Sequence, residues 1–308
     1  MNLKLSFILA AAFLVVLPQQ STLVSGIPEV LAPGAAVELV KEGFVFTEGP
    51  VRAPDGGLYF SDLLTADKIY RLSPGGEFTV FREKTNGMNG LGVDKNGNVV
   101  GVESTGKRVS RISNGQLTVL TEGTAEKPLL APNDIFLDAR GGVYFTDPGP
   151  RPVVPGRTVY VYYLPANSKT PVLLDDKLIR PNGIILTANG QTLLVNDSNS
   201  DAVYAYDVQP DGSVKNKRAF ATLRDVPQDK VSGADGMAID RQDRLYVATT
   251  TGIQIFSNRG NYLGTIPVPR QPSNVAFAGA DSRTLFITAR EGLYRLRMLS
   301  QGPDRPGK

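Results

Sequence analysis

Six times along the chain the same order of polar and apolar positions recurs. A polar residue opens a short apolar stretch, a turn bearing Gly or Asp follows, and a strongly apolar run closes the unit. The units begin at Glu48, Asn89, Asn133, Asn182, Asp235 and Asn274. Their closing runs are Leu58-Tyr59-Phe60-Ser61-Asp62, Val99-Val100-Gly101-Val102-Glu103, Val143-Tyr144-Phe145-Thr146-Asp147, Leu193-Leu194-Val195-Asn196-Asp197, Leu245-Tyr246-Val247-Ala248-Thr249 and Leu285-Phe286-Ile287-Thr288. Successive openings lie 41, 44, 49, 53 and 39 residues apart. That spacing matches the roughly 40–50 residues of a four-stranded propeller blade. Each unit continues into alternating or β-branched runs such as Lys68-Ile69-Tyr70-Arg71-Leu72 and Ile253-Gln254-Ile255-Phe256. These are strand signals bounded by Pro, Gly, Asn and Asp turns, and no segment after the N-terminal stretch has helical periodicity.

The sixth unit is short of a strand. After Gly292-Leu293-Tyr294-Arg295-Leu296 only a polar tail remains, while Val37-Glu38-Leu39-Val40 precedes the first unit without a sheet of its own. An open edge invites association and ring closure removes it. The expected fold is therefore all-β, a six-bladed β-propeller whose last blade is completed by an N-terminal strand near residues 36–42.

Composition sharpens the picture. Lys4 followed by an apolar stretch over residues 5–17 and small residues at Val24-Ser25-Gly26 reads as a signal peptide. Residues 1–26 are then a leader cleaved near Gly26, and 27–308 a single exported domain, periplasmic or secreted. The stretch is short for a stable membrane anchor. A net charge of +3 without a basic run disfavours nucleic acid as a partner. The chain has neither cysteine nor histidine, which excludes disulfides, thiol chemistry, Ser-His-Asp triads and any histidine base.

In a propeller, equivalent positions meet at equivalent places around the axis. The six openings would then converge on one mouth, two as carboxylates and four as amides. Two carboxylates in a confined site repel unless one protonates or a cation neutralises them. Oxygen donors without sulfur or imidazole favour Ca²⁺, with Mg²⁺, Mn²⁺ or Zn²⁺ as alternatives. Asn or Asp before Gly is also ordinary turn chemistry. The common phase of six units and a Glu48 that no turn requires favour the cation.

Several segments together resemble the SMP-30/gluconolactonase/LRE-like family. They are Thr47-Glu48-Gly49-Pro50, Ala131-Pro132-Asn133-Asp134, Tyr144-Phe145-Thr146-Asp147-Pro148, Arg180-Pro181-Asn182-Gly183, Ala234-Asp235-Gly236-Met237 and Pro272-Ser273-Asn274-Val275-Ala276-Phe277. The resemblance implies a divalent cation held by Glu48, Asn182 and Asp235. It implies a further contact from Asn133 to cation, bound water or substrate, and a base or nucleophile role for Asp235. Two departures bear on the substrate. Ala131 stands where sugar-lactone-specific members carry a substrate-binding Arg, and Ser104 where many bacterial gluconolactonases have a His.

The expected activity is hydrolysis of a lactone, a sugar lactone or related ester, by a monomeric enzyme whose partner is that small molecule. Asp235 is the candidate catalytic residue, Asn133 and Ala131 line the substrate, and Glu48, Asn133, Asn182 and Asp235 hold the cation. Asp147 and Asp197 are rival candidates for the proton work. The alternative is a non-catalytic propeller that binds a ligand or partner around a structural calcium ion.

Overall fold

The computed structural model describes residues 21–305, apart from 153, 155 and 227–230. Most of the leader read from the sequence, residues 1–20, lies outside the described residues. There are six antiparallel sheets and, among the described residues, no helix. Blades one to five each use four consecutive strands. Their innermost strands are Thr47–Arg52, Met88–Val93, Ile135–Leu137, Pro181–Leu186 and Met237–Ile239, and Asn274–Ala278 serves the sixth blade. Each innermost strand neighbours the next around the axis, and the sixth neighbours the first, so the ring is closed.

Closure is made by the N-terminal segment. Ala36–Glu42 pairs antiparallel with Gly292–Arg297, placing Glu38 opposite Arg295 and Leu39 opposite Tyr294. The pairing is reinforced by an ion pair of 2.8 Å between Arg295 and Glu38. A fifth strand, Ser21–Leu23, adds to the outside of Ala36–Glu42. This strand falls within the stretch read as leader. Val24 and Ile27 behind it are buried together with Val30 and Leu31.

The long apolar runs make sense in this architecture. A strand in the middle of a blade faces a neighbouring blade on each side, so both of its faces are buried. Leu58–Asp62, Val143–Asp147 and Leu245–Thr249 are buried at every position, whereas the outer strand Phe78–Glu83 is largely exposed. The core is accordingly a series of layers between blades. One unites Phe44, Leu58 and Phe60 of the first blade with Ala276 and Phe286 of the sixth. Another joins Val100 and Val102 of the second blade to Phe145 and Tyr162 of the third.

The polar C-terminal tail crosses the end of the ring where the innermost strands finish. Gly302 donates its N–H to Ser282 and packs on Phe277, where a Cβ would come within 2.3 Å of the Phe277 Cβ. Arg305 lies 4.7 Å above the Phe136 ring and donates to the carbonyls of Leu186 and Thr187. The opposite end, where the innermost strands begin, carries the candidate site.

Candidate functional site

The six repeat-opening residues form a ring of contacts at that end. Asn274 Nδ2 donates to Glu48 Oε2 at 2.9 Å, joining the sixth blade to the first. From the first to the second, Ser61 Oγ donates to the Asn89 carbonyl at 2.8 Å. The Gly90 N–H reaches the Asn133 carbonyl at 2.9 Å, and Thr146 Oγ1 the Asn182 carbonyl at 2.7 Å. Asn196 Nδ2 donates to the Asp235 carbonyl at 2.6 Å, and the Gly236 N–H to Ser273 at 2.8 Å. Each opening residue is thus tied to the blade on one side or the other, and all six share one mouth.

Local irregularity turns these residues toward the axis. The innermost strands of blades one, two and four slip register between Glu48 and Val51, Met88 and Leu91, and Pro181 and Ile184. A bulge frees the residue from its own ladder and re-aims its side chain. In four of the six units glycine follows the opening residue, because the neighbouring blade is too close for a side chain. Gly49 holds φ at +49°, and a Cβ there would lie 2.2 Å from the Asn89 carbonyl oxygen. A Cβ on Gly236 would overlap the Asn274 amide.

Strand-end carboxylates brace the approach. Asp62 accepts the amides of Val45 and Phe46, the residues three and two before Glu48. Asp147 does the same for Leu130 and Ala131 before Asn133, and Asp197 for Ile179 and Arg180 before Asn182. Both oxygens of Asp147 and of Asp197 are therefore occupied by backbone N–H groups. These contacts hold the loops that lead into Asn133 and Asn182, while Asp235 is half-buried at the mouth. Burial raises the pKa of Asp62 and Asp147, against the lowering effect of their amide donors. In the second blade the equivalent residue, Glu103, is fully buried and takes Arg108 at 2.8 Å and the Asn86 amide at 3.0 Å. The adjacent Ser104 donates to the Pro132 carbonyl at 2.6 Å, a structural contact.

The donor set suits a hard cation. Asn89 and Asn182 are buried, and the Oδ1 of each meets no donor. Asn182 Nδ2 is anchored on Ser198 Oγ at 3.0 Å, which fixes the orientation of its amide. Buried acceptors left without donors are costly unless a ligand completes them. Two such oxygens share a ring with the carboxylates of Glu48 and Asp235 and with half-buried Asn133. A divalent cation would satisfy the acceptors and cancel the two negative charges. Among the described residues no three carboxylate, histidine or cysteine side chains cluster, so a cation held here would need the amides as well.

One residue of the mouth escaped assignment from the sequence. Arg180 is buried, and its Nε and Nη1 find no acceptor. Burial pushes its guanidinium down to about 10; the like charge of Arg151 adds to this, while Asp235 and Asp197 oppose it. The signal for it was available. Among the residues two before each opening position, Phe46, Gly87, Ala131, Arg180, Gly233 and Pro272, it alone is charged.

Fold and mouth together define a six-bladed propeller with an oxygen-lined ring at one end of its axis. The chain belongs to the SMP-30/Gluconolactonase/LRE-like region family, which it matches over residues 46–291. It is 26% identical over 301 residues to the gluconolactonase of Zymomonas mobilis, covering 89% of this chain and 84% of that one. Its fold is similar to the solved structure of a gluconolactonase from Xanthomonas campestris, with a TM-score of 0.78 and 26% identity over 92% of this chain and 99% of the other. A calcium-binding regucalcin from Agrobacterium tumefaciens shares the fold at a TM-score of 0.73 and 18% identity, over 92% and 98% of the two chains.

Proposed function

We propose that this chain is a divalent-cation-dependent hydrolase that opens a lactone or related ester. The observation that carries the reading is the donorless buried oxygen Asn182 Oδ1 in one ring with Glu48 and Asp235; Asn89 Oδ1 is a second open acceptor of that ring. Relatives named gluconolactonase support the substrate class.

Glu48, Asn133, Asn182 and Asp235 would hold the cation, with Ca²⁺ preferred because every available donor is a hard oxygen. When bound, it supplies Lewis-acid polarisation of a carbonyl. Asn133 orients the substrate, and the small side chain of Ala131 leaves room beside it. Asp235 directs a water to the carbonyl carbon and takes one of its protons. The water oxygen forms the new C–O bond, the ring C–O bond breaks, and the proton passes to the departing alkoxide. The product is the open hydroxy acid. The apolar stretch over residues 5–17 supports export before action; N-terminal sequencing of protein recovered outside the cytoplasm tests that.

The decisive experiment joins metal analysis of the purified protein to a panel of lactones, aryl esters and phosphotriesters, with and without chelator. Hydrolysis should be lost with EDTA and restored by calcium. Asp235→Asn should lower turnover by about 10³-fold while the cooperative melt persists. Absence of chelator-sensitive hydrolysis across the whole panel would sink the hydrolase, and a stabilising ion without turnover would leave a binding propeller.

A further inference from the structure

The guanidinium of Arg180 has no role in the chemistry above, yet two of its three nitrogens are buried without an acceptor. Its backbone is fixed on both sides: its N–H donates to Asp197 Oδ1 at 3.0 Å, and its carbonyl accepts from Ser198 at 2.9 Å. Its side chain is 4% exposed, and two of its nitrogens lack acceptors. A charged donor withdrawn from water without a partner is expensive, so its retention calls for an acceptor that arrives with a ligand.

The surrounding charges say what that ligand carries. Asp197 and Asp235 are the carboxylates within electrostatic reach of Arg180. Asp197 is already engaged by the amides of Ile179, Arg180 and Asn199. Asp235 stands in the oxygen ring, where it and Glu48 balance a divalent cation. Once the ring is loaded, Arg180 retains its positive charge, and Arg151 adds a second nearby. Asp197 keeps one negative charge against these two positive ones, and a neutral sugar lactone adds none. A planar fork of N–H donors matches the two oxygens of a carboxylate or the face of a phosphate.

We propose that Arg180 recognises an anionic group on the substrate, so that the preferred lactone is one bearing a carboxylate or phosphate. This rests on the hydrolase reading and narrows it to acidic lactones.

The test compares D-glucono-1,5-lactone, its 6-phosphate and D-glucaro-1,4-lactone on the calcium-loaded enzyme. Wild type should show at least tenfold higher kcat/KM for one or both acidic lactones than for the neutral one. The phosphate and carboxylate arms tell which anion fits. In Arg180→Gln that ratio should fall at least tenfold, and Arg180→Lys should keep part of it. Calorimetric titration with D-glucarate supplies a readout that needs no turnover, and its Kd should rise at least tenfold in Arg180→Gln. A wild type that opens neutral and acidic lactones equally well overturns the proposal, whether or not the variants fold. So does a glucarate affinity unaltered by the substitution. If no lactone of any kind is opened while glucarate still distinguishes wild type from Arg180→Gln, the hydrolase reading fails and the anion site stands.

Discussion

Asp62, Asp147 and Asp197 end the second strands of their blades, and each grips the two amides that lead into its own blade's opening residue. Asp147 is the most instructive, because burial lifts its carboxyl above the ordinary 3.8 despite those amides. A carboxyl with a raised folded-state pKa binds its proton more tightly in the native protein than in the unfolded chain. Its ionisation therefore opposes folding above the folded pKa, and that opposition vanishes as the pH drops below the unfolded value. Asp147→Asn keeps one acceptor for two amides, so it should lower stability by about 1–3 kcal/mol at neutral pH. The gap between wild type and variant should widen as the pH is lowered toward 4, since the variant lacks the titrating group. Urea denaturation at pH 7 and pH 4 measures both quantities; a gap that narrows in acid would contradict the burial argument. A strand-end aspartate has the same sequence signature whether it faces the axis or its own loop, which is why Asp147 and Asp197 stood as rival bases. Arg180 was legible only in part: it is the one charged residue two before an opening position, but an arginine before Pro-Asn-Gly does not show that its donors will be buried without acceptors.

At the level of strands, phase was the informative quantity. Six repeats in register made the blades legible, and the missing last strand could be found by counting, because a ring demands as many outer strands as inner ones. Ala36–Glu42 occupies that place. The strand Ser21–Leu23 was not legible: three residues inside an apolar, small-residue stretch look like the end of a leader. The crossing tail was not legible either, since Gly302 and Arg305 act through single contacts with no periodicity. Truncation separates the two N-terminal strands. A chain beginning at residue 27 loses the outermost strand and the burial of Val24, which contributes about 2 kcal/mol. It should still melt cooperatively, with blade six intact at four strands. A chain beginning at residue 43 lacks the closing strand, leaves Gly292–Arg297 as a bare edge, and should aggregate or lose its cooperative transition. Calorimetry and light scattering on the two truncations decide it. Comparable melts for both would mean that closure through Ala36–Glu42 is dispensable.

For the whole molecule, the two ends of the axis have separate tasks. At one end stand the oxygen ring and buried Arg180, the groups proposed above to take a cation and an anion. At the other, the tail folds over the openings between blades, beside a cavity of about 310 Å³ lined by Arg52, Lys95, Phe277, Asp304 and Arg305. The tail engages Val30, Leu186, Thr187, Arg241, Tyr246, Asp281, Ser282 and Arg283, whereas the ring is held by Ser61, Thr146, Asn196, Ser198 and Ser273. Groups that are far apart and share no partner contribute independently, so stability and cation affinity should respond separately to loss of the tail. A chain ending at Met298 forfeits the Arg305 hydrogen bonds and uncovers Phe136 and Phe277, and should be less stable by about 2–4 kcal/mol. Its calcium Kd, read by calorimetry below the melting range, should stay within about twofold of the full chain. A tenfold weaker Kd in the folded truncation would mean that the blades transmit strain along the axis, and that the far end helps to set the spacing of the ring.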